Sequence, residues 1–332
     1  MERQLTAGLA ASRQRWISTH LGPMSWAGTR LTSGGQLYPI GDALIADTRW
    51  AEDLDRVREA PQLARMAGVG QVFVGAGRGH CSRAVHSKEV SEIAANLAAG
   101  LGLRVELAAA IGLAHDCGHP PLSHVGEAVI RQHWPAFNHA DYAADFALEP
   151  LNLTAETLLG VRNHSWSTRS SGSAEAEIVR WADRIAYLTR DRADAIALGI
   201  AQADDLPVEI RTELGTTYAE QRAALETAVT QASRRTGFIS MEDPAAVAMA
   251  HLRQHNYDTF YVSIPVQSQA ELVARAMGRA LVRVGRSLGI TRSLSEVACL
   301  RVIQDLMTMD DATLLAYADQ PTVPFAFVGA AA

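Results

Sequence analysis

The sequence predicts an all-α fold with few or no strands. Three observations carry that prediction. Alanine and leucine are abundant, while aromatic residues make up only 6% of the 332 residues, a composition that favours helices. Apolar residues recur at helical spacing through long stretches, and runs alternating with the period of two of a half-buried strand are sparse. The chain is long enough to bury a large core. Its formal net charge of −6 gives no sign of general nucleic-acid affinity. Cys81, Cys117 and Cys299 are odd in number and lack CxxC spacing, which argues against a disulfide framework or a structural zinc site. The opening MERQLTAGLAASRQRW lacks the apolar core of a secretory signal, and no apolar run approaches bilayer length. The expectation is a cytoplasmic protein with no membrane partner.

In chain order, residues 1–49 read as an N-terminal arm: a short helix, then a Gly/Ser/Thr/Pro-rich stretch over 22–39. Residues 50–320 read as a single helical domain, with the chemistry concentrated at about 80–200. A helix from Trp50 is interrupted by Pro61, and strand signals occur at 71–74 and again at 261–266. The glycine loop GAGRG at 75–79 lacks a Walker lysine, so a phosphate-binding loop is disfavoured. A helix over 82–101 follows from the spacing of Val85, Val90, Ile93, Leu97 and Leu101, with Gly102 as terminator. A second spans 105–116 and ends before Pro120-Pro121, which cannot continue it. Ser123 is the expected cap of a third helix through Ile130, and Thr154 of a later one. A long helix then runs over 174–199, two more occupy 203–245 around a loop at Gly237, and helices continue to about Ala318.

The chemistry gathers around His115-Asp116, at the predicted turn after the second helix. Imidazole and carboxylate suit a divalent transition metal, and an adjacent His-Asp pair needs partners from other helices. His86 lies on the first of these helices. Asp183 lies on the long helix beside Trp181 and Ile185, where a buried carboxylate needs a partner such as a metal. The alternative for Asp183 is a solvent-facing salt bridge to Arg180 or Arg184. His124 and Glu127 are three apart, a spacing at which a carboxylate orients an imidazole for acid, base or nucleophilic work. His119 suits a supporting or phosphate-contacting role. Two later sets recur at a spacing of four: Asp183, Tyr187 and Asp191, then Arg253, Tyr257 and Tyr261. Each would line one helical face. The second offers a guanidinium for phosphate with aromatic or hydroxyl contacts beyond it.

These segments, in order, resemble the HD-domain deoxynucleoside triphosphate triphosphohydrolases, best known as dGTPases. The likeness covers roughly residues 50–285. It rests on DRVREAPQLARMAGVGQVF, RAVHSKEVSEIA, AHDCGHPPLSHVGE, FNHADYA, LNLTAETLLGVRNH, ADRIAYLTRDRADAI and LRQHNYDTFYV. The resemblance implies an HD-domain multi-helix fold and hydrolysis of dGTP or several dNTPs to deoxynucleoside and tripolyphosphate. It implies His86, His115, Asp116 and Asp183 as metal ligands, His124 and Glu127 as the catalytic pair, and His119 and His139 as active-site histidines near the phosphates. It further implies Arg83 and Arg253 as phosphate contacts, Tyr187 and Asp191 as the sugar-reading pair with Tyr261 nearby, Gln71 against the nucleoside, and a homo-oligomer. The ligand chemistry admits Mn²⁺, Fe²⁺, Co²⁺, Ni²⁺, Zn²⁺ or Mg²⁺. A phosphatase or phosphodiesterase acting on another nucleotide, or a low-turnover nucleotide-binding regulator, are the alternatives. The chain departs from the family pattern at Cys117, usually apolar, at Arg184, often an acid, and at Leu122-Ser123, commonly Phe-Gly.

Overall fold

A computed structural model describes residues 29–31, 37–39, 49–74, 81–166, 173–289 and 296–318. The predicted short helix of the arm and the GAGRG loop lie outside the described residues. Within the arm, β1 (Thr29–Leu31) and β2 (Leu37–Pro39) form an antiparallel ribbon with Arg30 opposite Tyr38. The rest is helical, and no helix among the described residues is long and apolar enough to cross a membrane.

The helices that build the site are α1 (Arg49–Arg58), α2 (Pro61–Arg65), α3 (Arg83–Gly100), α4 (Val105–Ala114) and α5 (Ser123–Arg131). They continue with α6 (His139–Tyr142), α7 (Ala155–Arg162) and α8 (Ala174–Ala197). Pro61 starts α2 because its missing N–H is no loss in a first turn. Ser82 caps α3 by accepting from Val85 N–H, and Gly102 at φ 66° reverses the chain after it. α4 is the central rod: every residue from Leu107 to Ala114 is buried. Its small side chains allow neighbours to approach closely. A Cβ on Gly112 would lie 2.9 Å from the Cα of Ser91 on α3, so only glycine fits there. Around this rod α1, α3, α7 and α8 pack as one apolar cluster that includes Val57, Ile93, Leu97, Ile111, Ile178 and Ile185. Truncating such a fully buried Ile or Leu to Ala costs about 2–5 kcal/mol. A buried carboxylate pins α7 to α1: Asp53 accepts from Thr154 N–H and from the hydroxyls of Thr154 and Thr157. Thr154 also caps α7 as predicted.

Downstream, α9 (Val208–Leu214) packs on α10 (Tyr218–Thr236) and α11 (Asp243–Asn256), which buttress α8. α10 opens with a Thr217/Glu220 capping box and ends at Gly237 with φ 73°. α12 (Ile264–Ser287), α13 (Glu296–Leu306) and α14 (Asp311–Tyr317) form a second apolar cluster with α5.

Four sequence expectations are corrected. The apolar run at 71–74 is a bend and turn beside an isolated bridge between Gly70 and Ser82, with Gln71 N–H donating to the Cys81 carbonyl; four residues without a partner strand cannot satisfy a ladder. The run at 261–266 is split between the end of a π-helical turn and the start of α12. Ser123 does not cap α5. Leu122 precedes it at φ 63°, Ser123 itself has φ 54°, and its hydroxyl is engaged elsewhere. Finally, Arg253, Tyr257 and Tyr261 do not share one α-helical face, because the chain passes into π geometry over Tyr257–Tyr261, with Val262 N–H reaching the Tyr257 carbonyl. The wider turn changes the angular step, leaving Tyr257 54% exposed while Tyr261 turns inward.

Candidate metal centre

Two helices and the turn that follows a third meet at one buried point. α3 supplies His86, the turn after α4 supplies His115 and Asp116, and α8 supplies Asp183. α4 ends at Ala114, so His115 and Asp116 sit in the turn rather than in the helix. Gly118 in this turn packs so tightly that an added Cβ would lie 2.0 Å from the His139 carbonyl. His86 Nε2 is 3.1 Å from Asp183 Oδ1 and 3.8 Å from Asp116 Oδ2. His115 Nε2 is 3.3 Å from Asp116 Oδ2 and 3.8 Å from Asp183 Oδ1. Asp183 thus turns to the histidines, whereas Arg180 pairs with Glu177 and Arg184 stacks 4.2 Å over the Trp166 ring.

The donor set fits a divalent cation on structural grounds. His115 Nδ1 donates to the Gly112 carbonyl at 2.7 Å, which leaves the Nε2 lone pair for a ligand role, the usual way a backbone carbonyl orients a metal-binding imidazole. That buried Nε2 has no hydrogen-bond partner. The electrostatics agree. Burial opposes ionisation of Asp116, but Arg83, His115 and His119 hold its carboxyl well below the usual carboxylate range. Burial likewise opposes ionisation of Asp183, yet the hydrogen bond from His86 and the charge of His115 bring it down to about 2. Burial works to lower His115, but Asp116 beside it raises it to about 9; the pocket favours positive charge at Nε2, which a divalent ion would supply in place of a proton. Two ionised carboxylates in a dry pocket draw positive charge, and a divalent ion satisfies both at once.

A second cluster adjoins the first. His124 Nδ1 lies 3.2 Å from Glu127 Oε2, and His139 Nδ1 lies 3.1 Å from the same oxygen. Arg131 donates to Glu127 Oε1 at 2.8 Å. Buried Glu127 is therefore held ionised, against the effect of burial, by the two imidazoles. His124 is 70% exposed on its side chain, so it is open to a substrate. His119 stacks on His139 at 3.8 Å between ring centroids and sits 3.3 Å from Asp116 Oδ1. Burial depresses the His119 pKa well below the usual imidazole value. Arg83 donates to Asp116 Oδ2 at 2.5 Å.

Further along α8, Asp191 Oδ2 accepts from Tyr261 Oη at 2.5 Å. Burial raises Asp191 to about 8, against the lowering effect of the Tyr261 hydrogen bond. Burial raises the Tyr187 hydroxyl above its ordinary pKa, and the Arg184 and Arg253 guanidinium groups beside it work the other way. Gln71 is buried with its Oε1 unpartnered. Tyr257, exposed in the π-helical turn, stands apart from these pairs.

One residue was not singled out from the sequence. His164, just after α7, is buried against His115 at 4.9 Å between ring centroids, and its Nε2 lies 3.4 Å from His139 Nε2. It completes two potential ligand groups, one with His115 and Asp183, the other with Asp116 and His139. The available signal was its place at the end of LNLTAETLLGVRNH, a segment noted only for its order in the chain.

The HD domain profile matches residues 83–188. A deoxyguanosinetriphosphate triphosphohydrolase-like protein of Clostridium perfringens is 32% identical over 226 residues, 63% of this chain and 66% of that protein. One from Desulfatibacillum aliphaticivorans is 30% identical over 234 residues, covering 64% and 67%. One from Deinococcus radiodurans is 34% identical over 179 residues, 48% of each chain. The chain thus spans about two thirds or less of these relatives. Among solved structures, a phosphohydrolase from Bacteroides thetaiotaomicron superposes with a TM-score of 0.53 at 16% identity over 85% of this chain and 69% of that one. A hypothetical protein from Aquifex aeolicus gives 0.50 at 17% identity over 80% and 66%. Both likenesses concern the fold.

Proposed function

This chain belongs to the HD-domain family of deoxyguanosinetriphosphate triphosphohydrolase-like proteins, and from that premise we propose that it is a metal-dependent phosphohydrolase cleaving deoxynucleoside triphosphates to deoxynucleoside and tripolyphosphate. One observation carries the reading. Two imidazoles and two carboxylates from α3, α8 and the turn after α4 converge around the Nε2 of His115, with an exposed, carboxylate-oriented histidine beside them.

His86, His115, Asp116 and Asp183 would hold the ion, which would supply Lewis-acid polarisation of the α-phosphate and a nucleophile from water at neutral pH. The protein's own groups do the rest. Glu127 accepts the Nδ1 proton of His124, so His124 Nε2 handles the proton that leaves the nucleophile or joins the 5′-oxygen. Because Glu127 is also held by His139 and Arg131, the imidazole is oriented before substrate arrives. Arg83 and Arg253 supply charge for the triphosphate. In this reading, Asp191 with Tyr261 grips a sugar hydroxyl, and the Tyr187 ring excludes a ribose 2′-hydroxyl by sterics. Assembly as a homo-oligomer is part of the same proposal, tested by light scattering.

The deciding experiment is incubation of the purified protein with each dNTP and rNTP over a panel of divalent metals, with identification of the phosphate product. Tripolyphosphate from dNTPs supports the proposal. Orthophosphate or pyrophosphate would replace it with a phosphatase or pyrophosphohydrolase.

A further inference from the structure

Between His119 and His124 the backbone takes two left-handed steps, at Leu122 (φ 63°) and Ser123 (φ 54°). Residues with a Cβ persist there only where the surroundings hold them. The holding group comes from far downstream, outside the matched residues 83–188. Asp311, buried at the start of α14, accepts Leu122 N–H through Oδ1 at 2.6 Å and Gly70 N–H through Oδ2 at 2.9 Å. The Gly70 carbonyl accepts in turn from the Ser123 hydroxyl. Ser123 Oγ accepts from Arg83 Nε at 2.7 Å, and Arg83 Nη1 donates to Asp116 Oδ2. Arg65 adds a parallel strut: Nη2 donates to the His119 carbonyl at 2.6 Å and Nη1 to the Met309 carbonyl at 3.1 Å. The approach is close enough that a Cβ on Gly68 would lie 2.5 Å from Asp310 Oδ2.

We propose that Asp311 is a positioning residue for the site: it holds the Leu122-Ser123 turn left-handed, and through Ser123 and Arg83 fixes the Asp116 carboxylate and the start of the helix that carries His124 and Glu127. Each link is a direct hydrogen bond, and the chain of bonds runs from α14 to the centre without a gap. Docking of α14 does not depend on this carboxylate, because Leu314 and Leu315 anchor the helix in the second apolar cluster. Removing the carboxylate therefore frees the turn without undocking the helix. The inference rests on the hydrolase reading for its effect on turnover, but its structural part stands separately.

The test compares wild type, Asp311→Ala and Asp311→Asn, the last keeping one acceptor oxygen and serving if the alanine variant does not fold. Three readouts are needed: steady-state dNTP hydrolysis, bound metal per chain, and hydrogen exchange of peptides covering 66–72 and 119–125. Expected are a kcat about 10- to 100-fold lower in Asp311→Ala, an intermediate value in Asp311→Asn, and metal stoichiometry within about twofold of wild type. Exchange should quicken in those two peptides and not in α3 or α8. A kcat within about twofold of wild type, or faster exchange spread evenly over all peptides, would overturn the positioning role. Absence of hydrolysis in wild type with every metal and dNTP would count against the hydrolase reading instead, and the exchange pattern alone would then decide the clamp.

Discussion

His139 and His164 face one another through Nε2 at 3.4 Å, and the Nδ1 of each ring is committed elsewhere, to Glu127 Oε2 and to the Val161 carbonyl. Both acceptors fix the proton on Nδ1 in the neutral rings. Two lone pairs then point into the same space beside the proposed metal ligands, an arrangement that suits a bound donor. His164→Ala is expected to lower kcat about tenfold or more with metal stoichiometry retained. Unchanged turnover would place His164 in packing alone.

His115 stands at the centre of the four proposed ligands, so His115→Ala should remove both bound metal and hydrolysis. Chelation of the wild-type protein should do the same, and activity should return when metal is restored to wild type but not to the variant. Elemental analysis alongside the assay checks this. Full activity in metal-free protein would refute the assignment.

Glu127 touches His124, His139 and Arg131 and is proposed as the partner of the acid-base histidine rather than as a metal ligand. Glu127→Ala is expected to slow turnover by about 10²-fold or more while metal remains bound. Loss of metal would identify Glu127 as a ligand. Its removal also strips a buried ring of its acceptor, so a stability loss of about 1–3 kcal/mol should accompany it.

Tyr187 lies one turn along α8 from Asp183, on the same face. If its ring reads C2′, Tyr187→Ala should narrow the ratio of dNTP to rNTP hydrolysis, with the larger change in rNTP kcat/KM. An unchanged ratio would assign the discrimination elsewhere.

Asp311 also predicts a pH signature. Burial, with Asp310 beside it, raises its carboxyl to about 6 from an ordinary 3.8, against the lowering effect of the Gly70 and Leu122 N–H groups and of Arg65. A folded-state pKa above the unfolded one means a contribution to stability that is fully present below the unfolded value and lost as pH rises through 6. Relative to Asp311→Asn, wild type should therefore lose up to about 3 kcal/mol between pH 4 and pH 7.5. Urea unfolding of both proteins across that range measures it; a flat or opposite difference would contradict the stated environment.

Much of the fold follows from local pattern. The apolar spacing of 82–101, the cap Thr154, Pro61 and Gly237 all appear where local stereochemistry requires them. Four features escaped because their causes are not local, among them the Ser123 cap, whose hydroxyl bonds Gly70 and Arg83 instead. The runs at 71–74 and 261–266 look like strands, but strand formation needs a partner, and helices occupy the space around them. The spacing of Arg253, Tyr257 and Tyr261 assumes an α-helix that the backbone leaves at Tyr257.

By itself the sequence determined the helical class and the residue types able to hold a cation, because periodicity and ligand chemistry are written in neighbouring residues. Only the tertiary structure decided which groups meet. It directed Asp183 to His86 rather than to a nearby arginine, and brought His164 against His139. It also placed Asp311 under a turn 189 residues earlier in the chain. Those contacts depend on how helices pack, and packing is a property of the whole chain, not of any segment within it.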